Sequence, residues 1–275
     1  MKNHLIISLL ILSVGFSQQE YNFNDLIEMD NGLFTVKFSD EPITGKVYGG
    51  FGESKPYKKV YMGEIRNGKK EGRWKDYYHS TGKKKYDYYY KDGKLDGLNT
   101  KWYENGQKEF EVTYKDGEKD GKWTWYNDDG QKESEVTFKD GERDGLLTLY
   151  DENGQKKYEE TYKDGKKDGV EIHWYENGQK KFETTYKDGL SDGLFTHWYE
   201  NGQKERERTY KDGELDGLST AWYENGQKKG EGTSKDGERD GLFTQWHENG
   251  QKKKEETYKD GKEISKTEYK WYENG

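Results

Sequence analysis

A repeat of 24 residues is the feature that most constrains how this chain folds. The stretch Gly97 to Asp120 reads GLNTKWYENGQKEFEVTYKDGEKD, and it returns in register to give seven contiguous units between Gly97 and Ile264. Looser copies precede these units and a half copy follows them. A fixed period of about 20 to 50 residues indicates an array in which each unit packs on its neighbours. The sequence therefore predicts a repeat protein rather than a globular domain.

The composition fits such an array because the aromatic residues are periodic. Of the 275 residues only 28% are hydrophobic and 37% are charged, a balance that usually indicates disorder. The aromatic residues, 16% of the chain, recur at fixed positions, and each one buries a large area. The net charge is -8 with interleaved signs and no basic patch, which argues against nucleic-acid binding. The absence of cysteine excludes disulfides and thiolate metal sites.

Each unit holds two segments of strand character between two glycine turns. Asn105-Gly106 is a strong signal for a tight hairpin, and Asp116 to Gly121 reads as a longer turn that contains Gly117 and Gly121. No apolar period of 3.6 residues is present, so helix is disfavoured. The expected fold is all-β: an elongated, single-layer antiparallel β-meander solenoid built of 24-residue hairpins.

One position in the unit is aromatic in every copy, and we expect it to form a buried structural seam. Alternation along the strand places Leu98 and Thr100 on the same side of the sheet. The seam comprises Trp102, Tyr126, Tyr150, Trp174, Trp198, Trp222, Trp246 and Trp271.

The next position along the strand varies more and is expected to face solvent. It holds Asn127 and Asp151 as well as aromatic residues, so a buried role is disfavoured. Its aromatic members form a candidate interaction surface: Tyr103, Tyr175, Tyr199, Tyr223 and His247.

Two registers compete for the second strand of the unit. A three-residue turn, Glu104 to Gly106, places Phe110, Val112 and Tyr114 on the Trp102 side. A two-residue turn places Glu109, Glu111 and Thr113 there instead, because a slip of one residue inverts the strand. Burial of the recurring tyrosine favours the three-residue turn, although Glu111 and Thr113 also recur in every unit.

Charges and exceptions to the repeat give three further expectations. Lys108 and Glu111 recur in all seven units and read as a solvated charge ladder, with opposite charges close across one hairpin. In the unit Gly217 to Asp240 the second strand carries Gly230, Gly232 and Ser234, which predicts a soft or bent point. The last strand, Lys266 to Tyr272, is expected to be a sheet edge protected by its charges.

The N-terminus has the pattern of a secretory signal. Residues 1–17 contain Lys2, an apolar run of 12 residues from Leu5 to Phe16, and small residues at Gly15 and Ser17. Residues 18–60 read as a cap with a degenerate β repeat, and residues 61–275 as the array. We expect an extracytoplasmic protein, either secreted, periplasmic or on the cell surface, with no transmembrane segment after cleavage of the signal.

The stretch Tyr61 to Gly72, YMGEIRNGKKEG, resembles the MORN repeat, whose pattern is Tyr-x-Gly-x-Trp-x-x-Gly-x-x-x-Gly, with Ile65 in the place of tryptophan. The later units, with Trp-Tyr-Glu-Asn-Gly and Tyr-Lys-Asp-Gly-x-x-Asp-Gly, are similar to the bacterial MORN-variant repeat, found in proteins labelled YwqK-family antitoxins. The resemblance covers roughly residues 43 to 275. It implies an elongated sheet of hairpins, and for function it implies an interaction scaffold.

No catalytic, cofactor or metal site is expected. His173 and His197 occupy the same position in successive units, but the pattern supplies no third ligand. The pairs Asp116/Asp120 and Asp188/Asp192 offer oxygen atoms to Ca²⁺, yet aspartate and glycine are also the residues that tight turns require. The sequence contains neither a nucleophile elbow nor a phosphate-binding loop, so we expect a protein that is not an enzyme.

Three functions of different classes remain open. The first is a non-enzymatic, extracytoplasmic protein-binding scaffold, monomeric itself and with an unidentified protein partner. The second is an antitoxin or immunity protein that occupies a toxin. The third is binding of a surface polysaccharide along the row of exposed tyrosines.

Overall fold

The computed structural model describes residues 19–51 and 58–270. The predicted signal peptide, residues 1–17, and the last predicted seam residue, Trp271, lie outside these ranges. Within them the chain contains 25 strands and a single 3-10 turn, Phe23–Asp25. No helix in these ranges is long and apolar enough to cross a membrane.

The strands before the seven units are β1 (Glu20–Asn22), β2 (Leu26–Glu28), β3 (Phe34–Val36), β4 (Gly45–Phe51), β5 (Lys58–Arg66), β6 (Lys69–Tyr77), β7 (Lys84–Lys91) and β8 (Lys94–Leu95). The strands that follow, to the middle of the array, are β9 (Gly97–Trp102), β10 (Lys108–Lys115), β11 (Glu118–Tyr126), β12 (Lys132–Lys139), β13 (Glu142–Tyr150), β14 (Lys156–Lys163), β15 (Lys166–Trp174) and β16 (Lys180–Lys187). The remaining strands are β17 (Leu190–Ser191), β18 (Gly193–Trp198), β19 (Lys204–Lys211), β20 (Glu214–Trp222), β21 (Lys228–Lys235), β22 (Glu238–Arg239), β23 (Gly241–Trp246), β24 (Lys252–Lys259) and β25 (Lys262–Glu268).

The strands form one long open sheet in which sequence neighbours pair antiparallel, as the repeat predicts. Two features at the N-terminal end depart from the meander. Strand β1 pairs parallel with β4, and β2 and β3 form a separate two-stranded sheet. Strand β5 crosses the predicted boundary between residues 60 and 61, and it pairs with β4 on one side and β6 on the other. The all-β hairpin array is therefore confirmed.

The first turn of the unit has three residues, as predicted. The N–H of Tyr103 donates to the carbonyl of Gln107 (2.8 Å), and the N–H of Gly106 donates to the carbonyl of Tyr103 (2.9 Å). Gly106 has a φ of 99°, a left-handed conformation that closes such a turn and favours glycine. The Asn105 side chain stabilises the same turn by accepting the N–H of Gln107 at 2.9 Å.

The face predicted from this turn is nevertheless wrong, because a β-bulge follows it. Trp102 pairs with Lys108, but Lys101 pairs with Phe110, so Glu109 is an extra residue on the second strand. The extra residue inverts the rest of that strand. Glu111 consequently lies opposite Thr100, on the Trp102 side, while Phe110, Val112 and Tyr114 point to the other side.

The second turn is shorter than predicted. Lys115 pairs directly with Glu118, so the turn consists of Asp116 and Gly117, with φ values of 51° and 91°. Two left-handed residues make the type of hairpin turn whose twist matches the flanking strands. Asp120 and Gly121 form a second bulge, because the pairing steps from Tyr114–Lys119 to Val112–Trp123.

We call the side of the sheet that carries Leu98, Thr100 and Trp102 the front face, and the side that carries Asn99 and Lys101 the back face. The buried apolar residues of the array lie on the back face of its first units: Val112, Trp123, Val136 and Phe138. The Trp123 and Phe138 rings are 5.0 Å apart, and the indole N–H of Trp123 donates to the carbonyl of Thr113 at 2.9 Å.

A second cluster lies at the N-terminal end, where Ile43, Val47, Ile65 and Trp74 are buried. Gly63 is required beneath the Trp74 ring, because a Cβ at that position would overlap the indole. The cluster joins residues from both sides of the predicted boundary at residue 60. Farther along the array buried charged residues, Glu160 and Glu171, replace the apolar residues of the back face.

Strand β25 is the last strand of the sheet in the described residues, and all seven of its residues are exposed. It begins and ends earlier than the predicted edge strand, Lys266 to Tyr272. Lys266 and Glu268 form an ion pair of 2.8 Å on its surface. Charged side chains on an edge strand oppose pairing with another sheet.

Candidate functional site

The centre of the front face is nearly the same in every unit. Glutamates and threonines alternate across the strands: Glu111 lies opposite Thr100 on one side and opposite Thr124 on the other. The threonines are 3 to 7% exposed, and they are Thr100, Thr124, Thr148, Thr196, Thr220 and Thr244. Ile172 takes this place in the fourth unit. The recurring glutamate thus belongs to the front face, the placement that its sequence pattern left open but did not favour.

Each front-face glutamate accepts a hydrogen bond from the lysine three residues before it. Lys108 reaches Glu111 at 2.7 Å, because the bulge at Glu109 turns both side chains to one side. The same pair forms in the other six units: Lys132–Glu135, Lys156–Glu159, Lys180–Glu183, Lys204–Glu207, Lys228–Glu231 and Lys252–Glu255. The predicted ladder is therefore a row of ion pairs, each formed within its own strand, and each contributes little because its charges are partly exposed to solvent.

Glu135 is the most strongly stabilised of these carboxylates. Burial alone would raise its pKa, but hydrogen bonds from Lys122, Lys132 and Tyr150 outweigh burial and lower the pKa to about 2. Both lysines lie within 2.8 Å of the carboxylate. The charged form is thus held in place by one cation from its own strand, Lys132, and one from the neighbouring strand, Lys122.

The predicted aromatic seam is half-buried on the front face, and the buried core lies elsewhere. Trp102 lies beneath the Nζ of Lys84 (4.5 Å to the ring centroid), and Trp246 lies beneath that of Lys228 (5.9 Å). Where the seam residue is a tyrosine, its hydroxyl donates to the glutamate of the preceding unit, as Tyr150 does to Glu135 at 3.1 Å. The described members of the seam therefore cover the ion-pair row, and the inversion at Glu109 explains why they do not meet Val112.

The tyrosines of the candidate interaction surface are half-buried and connect successive units. The hydroxyl of Tyr103 donates to the carbonyl of Tyr126 at 2.9 Å, and those of Tyr175, Tyr199 and Tyr223 donate to Trp198, Trp222 and Trp246 at 2.7 to 2.9 Å. Desolvation by burial raises the pKa of Tyr175 and Tyr199. Only His247 is exposed as expected for this position. The side chain of Asn105 adds a bond to the carbonyl of Asp128 at 2.6 Å.

An aliphatic stripe on the front face is the most exposed apolar surface of the array. Its members occupy one position of the unit: Leu98, Leu146, Val170, Leu194, Leu218 and Leu242, with Lys122 in the second unit. They are 39 to 52% exposed, so the prediction that Leu98 lies on a buried side is wrong. Threonines pair with them across the strands, Thr113 with Leu98 and Thr209 with Leu194. The sequence signal for this exposure was Lys122, a charge at an otherwise aliphatic position.

The back face at the junction of the third and fourth units holds a buried ionic cluster in place of an apolar core. Glu160 and Glu171 lie directly opposite each other across β14 and β15, and they are 2% and 6% exposed. Lys167 contacts both carboxylates, reaching Glu171 at 2.8 Å, and His173 reaches the other oxygen of Glu171 at 2.9 Å. Burial would raise the pKa of Glu160, but hydrogen bonds from Lys167 and Tyr158 outweigh it and lower that pKa.

The two histidines considered as metal ligands do not face each other. Phe182 pairs with His173 on one side and with His197 on the other, so its ring stands between them. His197 instead contacts Glu205 at 2.6 Å. In residues 19–51 and 58–270 no group of three or more metal-binding side chains comes together.

The aspartates considered as calcium ligands serve the turns. Asp188 occupies the left-handed turn position with a φ of 50°. Its backbone N–H donates a hydrogen bond to the carboxylate of Asp168 at 3.2 Å. In the next unit the N–H of Asp212 donates to the carboxylate of Asp192 at 3.3 Å. These contacts tie each turn to the next unit.

The fold defines a class of protein, an open array of β-hairpins in which every unit is held by backbone and turn contacts to its neighbours. The MORN repeat variant matches residues 95–116, 119–140, 143–164, 167–188, 191–212, 215–236 and 239–260, together more than half of the chain. The chain therefore belongs to the MORN-repeat variant family. Comparison with curated proteins gives no match. MORN repeats are generally non-enzymatic scaffolds, and repeat surfaces of this kind suit binding.

Proposed function

We propose that this chain is an extracytoplasmic, non-enzymatic scaffold that binds a protein partner through the aliphatic stripe. The observation that carries the proposal is the exposure of five leucines and one valine at one position of the unit, 39 to 52% each. The row places an exposed apolar side chain on every second strand, with threonines on the strands between and a lysine at position 122. Exposed apolar side chains gathered on one face are typical of a protein interaction surface. Scattered single leucines would need no such explanation.

The spacing of the stripe also fits a protein partner. Successive members are two strands apart, about 10 Å. Burying the exposed half of one leucine contributes about 1 kcal/mol, so a partner that covers four members gains roughly 4 kcal/mol before the costs of association. The rigid sheet places these side chains in advance, which lowers the entropic cost of binding.

The polysaccharide alternative has weaker support, and its tyrosines lie on the back face rather than with the stripe. The hydroxyls of the four tyrosines are occupied by bonds between units. The ammonium groups of Lys181 and Lys229 lie 5.5 and 5.4 Å from the ring centroids of Tyr175 and Tyr223, over the rings that a sugar would stack on.

The test is affinity capture with a matched control. The bait is the chain from residue 18, and the stripe variant carries Leu194→Lys, Leu218→Lys and Leu242→Lys, since the fold already accepts Lys122 at this position. The control is Leu190→Lys, which changes a leucine of similar exposure, 51%, away from the stripe. We expect one envelope or secreted protein to be recovered in near-equal amount by the wild type and the control, and lost with the stripe variant.

Equal recovery by the stripe variant and the wild type would refute the role of the stripe. Recovery of glycan alone would refute the protein-binding proposal and favour the tyrosine row. If the captured partner proves toxic when produced alone, the function is that of an immunity protein, which is a special case of the same proposal.

The extracytoplasmic location rests on residues 1–17 and has its own test. The mature N-terminus is determined by mass spectrometry on protein produced from the full sequence. Cleavage after Ser17 together with recovery outside the cytoplasm is expected, whereas an intact Met1 in the cytoplasm would refute this part of the proposal.

A further inference from the structure

A groove crosses the back face at the unit in which small residues replace bulky ones. Two adjoining cavities of about 290 and 270 Å³ share Arg206, Ala221, Gly230 and Gln245 in their walls. Ser219, Ala221 and Gly230 form its floor on β20 and β21, and the Phe243 ring lies over Gly232 at one end. Two units earlier, the residues at the equivalent positions are larger: Phe182 stands at the position of Gly230, and His173 at that of Ala221. The groove is about two strands wide, roughly 10 Å.

The walls of the groove carry arginines that have no acidic partner. Arg206 and Arg208 stand on the adjoining strand β19, on the same side of the sheet. In the part of the chain that the structure describes, neither guanidinium forms an ion pair. Both lie in a protein whose net charge is -8, in which the back-face lysine Lys167 contacts two carboxylates.

The acidic residues around the groove are already occupied. Glu205 contacts His197 at 2.6 Å, Glu231 contacts Lys228, and Glu256 contacts Lys254. At the far wall Arg239 donates to the hydroxyl of Tyr258 at 3.0 Å and lies 5.0 Å from the ring centroid of Phe243. The groove therefore presents cationic hydrogen-bond donors that have no carboxylate partner among the described residues.

We propose that this groove binds an extended acidic segment of a protein partner, with carboxylates at alternate positions. Arg206 and Arg208 are two residues apart on one strand, so their side chains emerge about 7 Å apart. An extended peptide repeats its side chains on one face at the same distance. Guanidinium groups form paired hydrogen bonds with carboxylates, which gives this arrangement both affinity and orientation.

The inference rests on the proposed protein-binding role but concerns the opposite face of the sheet from the aliphatic stripe. The stripe variant is therefore expected to keep this peptide site, and the failure of one proposal is distinguishable from the failure of the other. A partner that engages both faces would wrap around one edge of the sheet.

The test uses fluorescence anisotropy of a short labelled peptide of alternating threonine and glutamate with the full chain. A matched peptide of threonine and glutamine measures binding that does not depend on charge. We expect the acidic peptide to bind and the glutamine peptide not to bind, and the affinity of the acidic peptide should fall as the salt concentration is raised. The double variant Arg206→Gln/Arg208→Gln should weaken binding at least about tenfold.

Two further variants separate charge from shape. Gly230→Phe fills the groove with the residue that the chain carries at Phe182, and its Cβ meets only ordinary contacts, so weaker binding with both arginines present is expected. Arg143→Gln removes a back-face arginine in an earlier unit and should leave binding unchanged. Thermal unfolding of each variant verifies that the array is folded.

Equal binding of the two peptides, or unchanged binding by the double variant, would overturn the proposal. Inorganic phosphate and the unlabelled acidic peptide are also compared as competitors of the labelled peptide. If phosphate displaces the labelled peptide at the same concentration as the unlabelled peptide does, the proposal is overturned, because the groove would then be a general anion site.

Discussion

Replacing Lys167 by methionine tests the buried ionic cluster at the junction of the third and fourth units. Glu160 and Glu171 face each other across two strands at 2% and 6% exposure, and Lys167 contacts both. Without this ammonium two buried carboxylates lie side by side, and what remains is the contact of His173 with Glu171 and the hydrogen bond from Tyr158 to Glu160. Breaking a buried ion pair in this way costs about 3 to 5 kcal/mol, so we expect Lys167→Met to lower the stability of the array by that amount at neutral pH.

The pH dependence of the variant should be opposite to that of the wild type. In the wild type the pKa of Glu160 is lowered, so its contribution to stability is present above the ordinary carboxyl pKa and is lost as the pH falls through the lowered value. In Lys167→Met the hydrogen bond that outweighed burial is gone, and burial raises the pKa of Glu160. Protonation then relieves the repulsion, and the variant should regain stability relative to the wild type between about pH 7 and pH 5.

The measurement is thermal unfolding combined with hydrogen exchange of the β14 and β15 amides, because a repeat array opens locally as well as globally. The matched control is Lys119→Met, which removes the lysine at the same position two units earlier. That ammonium lies 4.6 Å from the Trp123 ring centroid and should contribute no more than about 1 kcal/mol. The double variant Glu160→Val/Glu171→Leu copies the pair Val136–Leu147 and should be neutral or stabilising by about 1 to 4 kcal/mol.

A loss below about 1 kcal/mol for Lys167→Met would contradict the structural role of Lys167, because it would mean that solvent or another cation neutralises the carboxylates. A variant that lost stability on acidification in parallel with the wild type would refute it independently.

Three further predictions concern the contacts that hold the units together. Tyr199→Phe removes the bond to the carbonyl of Trp222 and should cost about 1 kcal/mol, seen as faster amide exchange at the end of β20, with unchanged exchange in β10 as the internal control. Asp188→Val should cost about 1 to 2 kcal/mol in thermal unfolding because φ is 50° there, whereas Asp188→Gly should be tolerated; equal losses would contradict the left-handed turn. Carboxyl NMR should place the pKa of Glu135 at about 2, with its contribution to stability lost as the pH falls toward that value; a pKa near 4 would contradict the two-lysine contact.

The fold was largely predictable from the sequence because its signals are local. The period, the Asn105-Gly106 turn and the absence of helical spacing are properties of short segments, and each one is reproduced in the hairpins. The faces were not predictable in the same way. One extra residue, Glu109, reverses the second strand of the unit, and alternation gives no warning of a bulge.

The surfaces of the array were likewise only partly predictable from the sequence. The invariance of Glu111 and Thr113 did indicate a shared environment, but the wrong register assigned it to the other face. The aliphatic stripe was hidden because Leu98 alternates with a tryptophan that proved only half-buried. The groove depends on which residues of β19, β20 and β21 lie together, and such a neighbourhood exists only once the strands are paired.

The contrast between an almost constant front face and a changing back face has a consequence for how such a chain can be altered. Ion pairs, threonines and turn contacts repeat with the backbone, whereas the centre of the back face passes from valine and tryptophan to glutamate, arginine and glycine. Different positions of the same unit thus determine the scaffold and the variable surface. A 24-residue segment exchanged between two Asp-Gly turns would bring its own back-face residues with it. Recombination within the array can therefore change the binding surface while the fold stays the same.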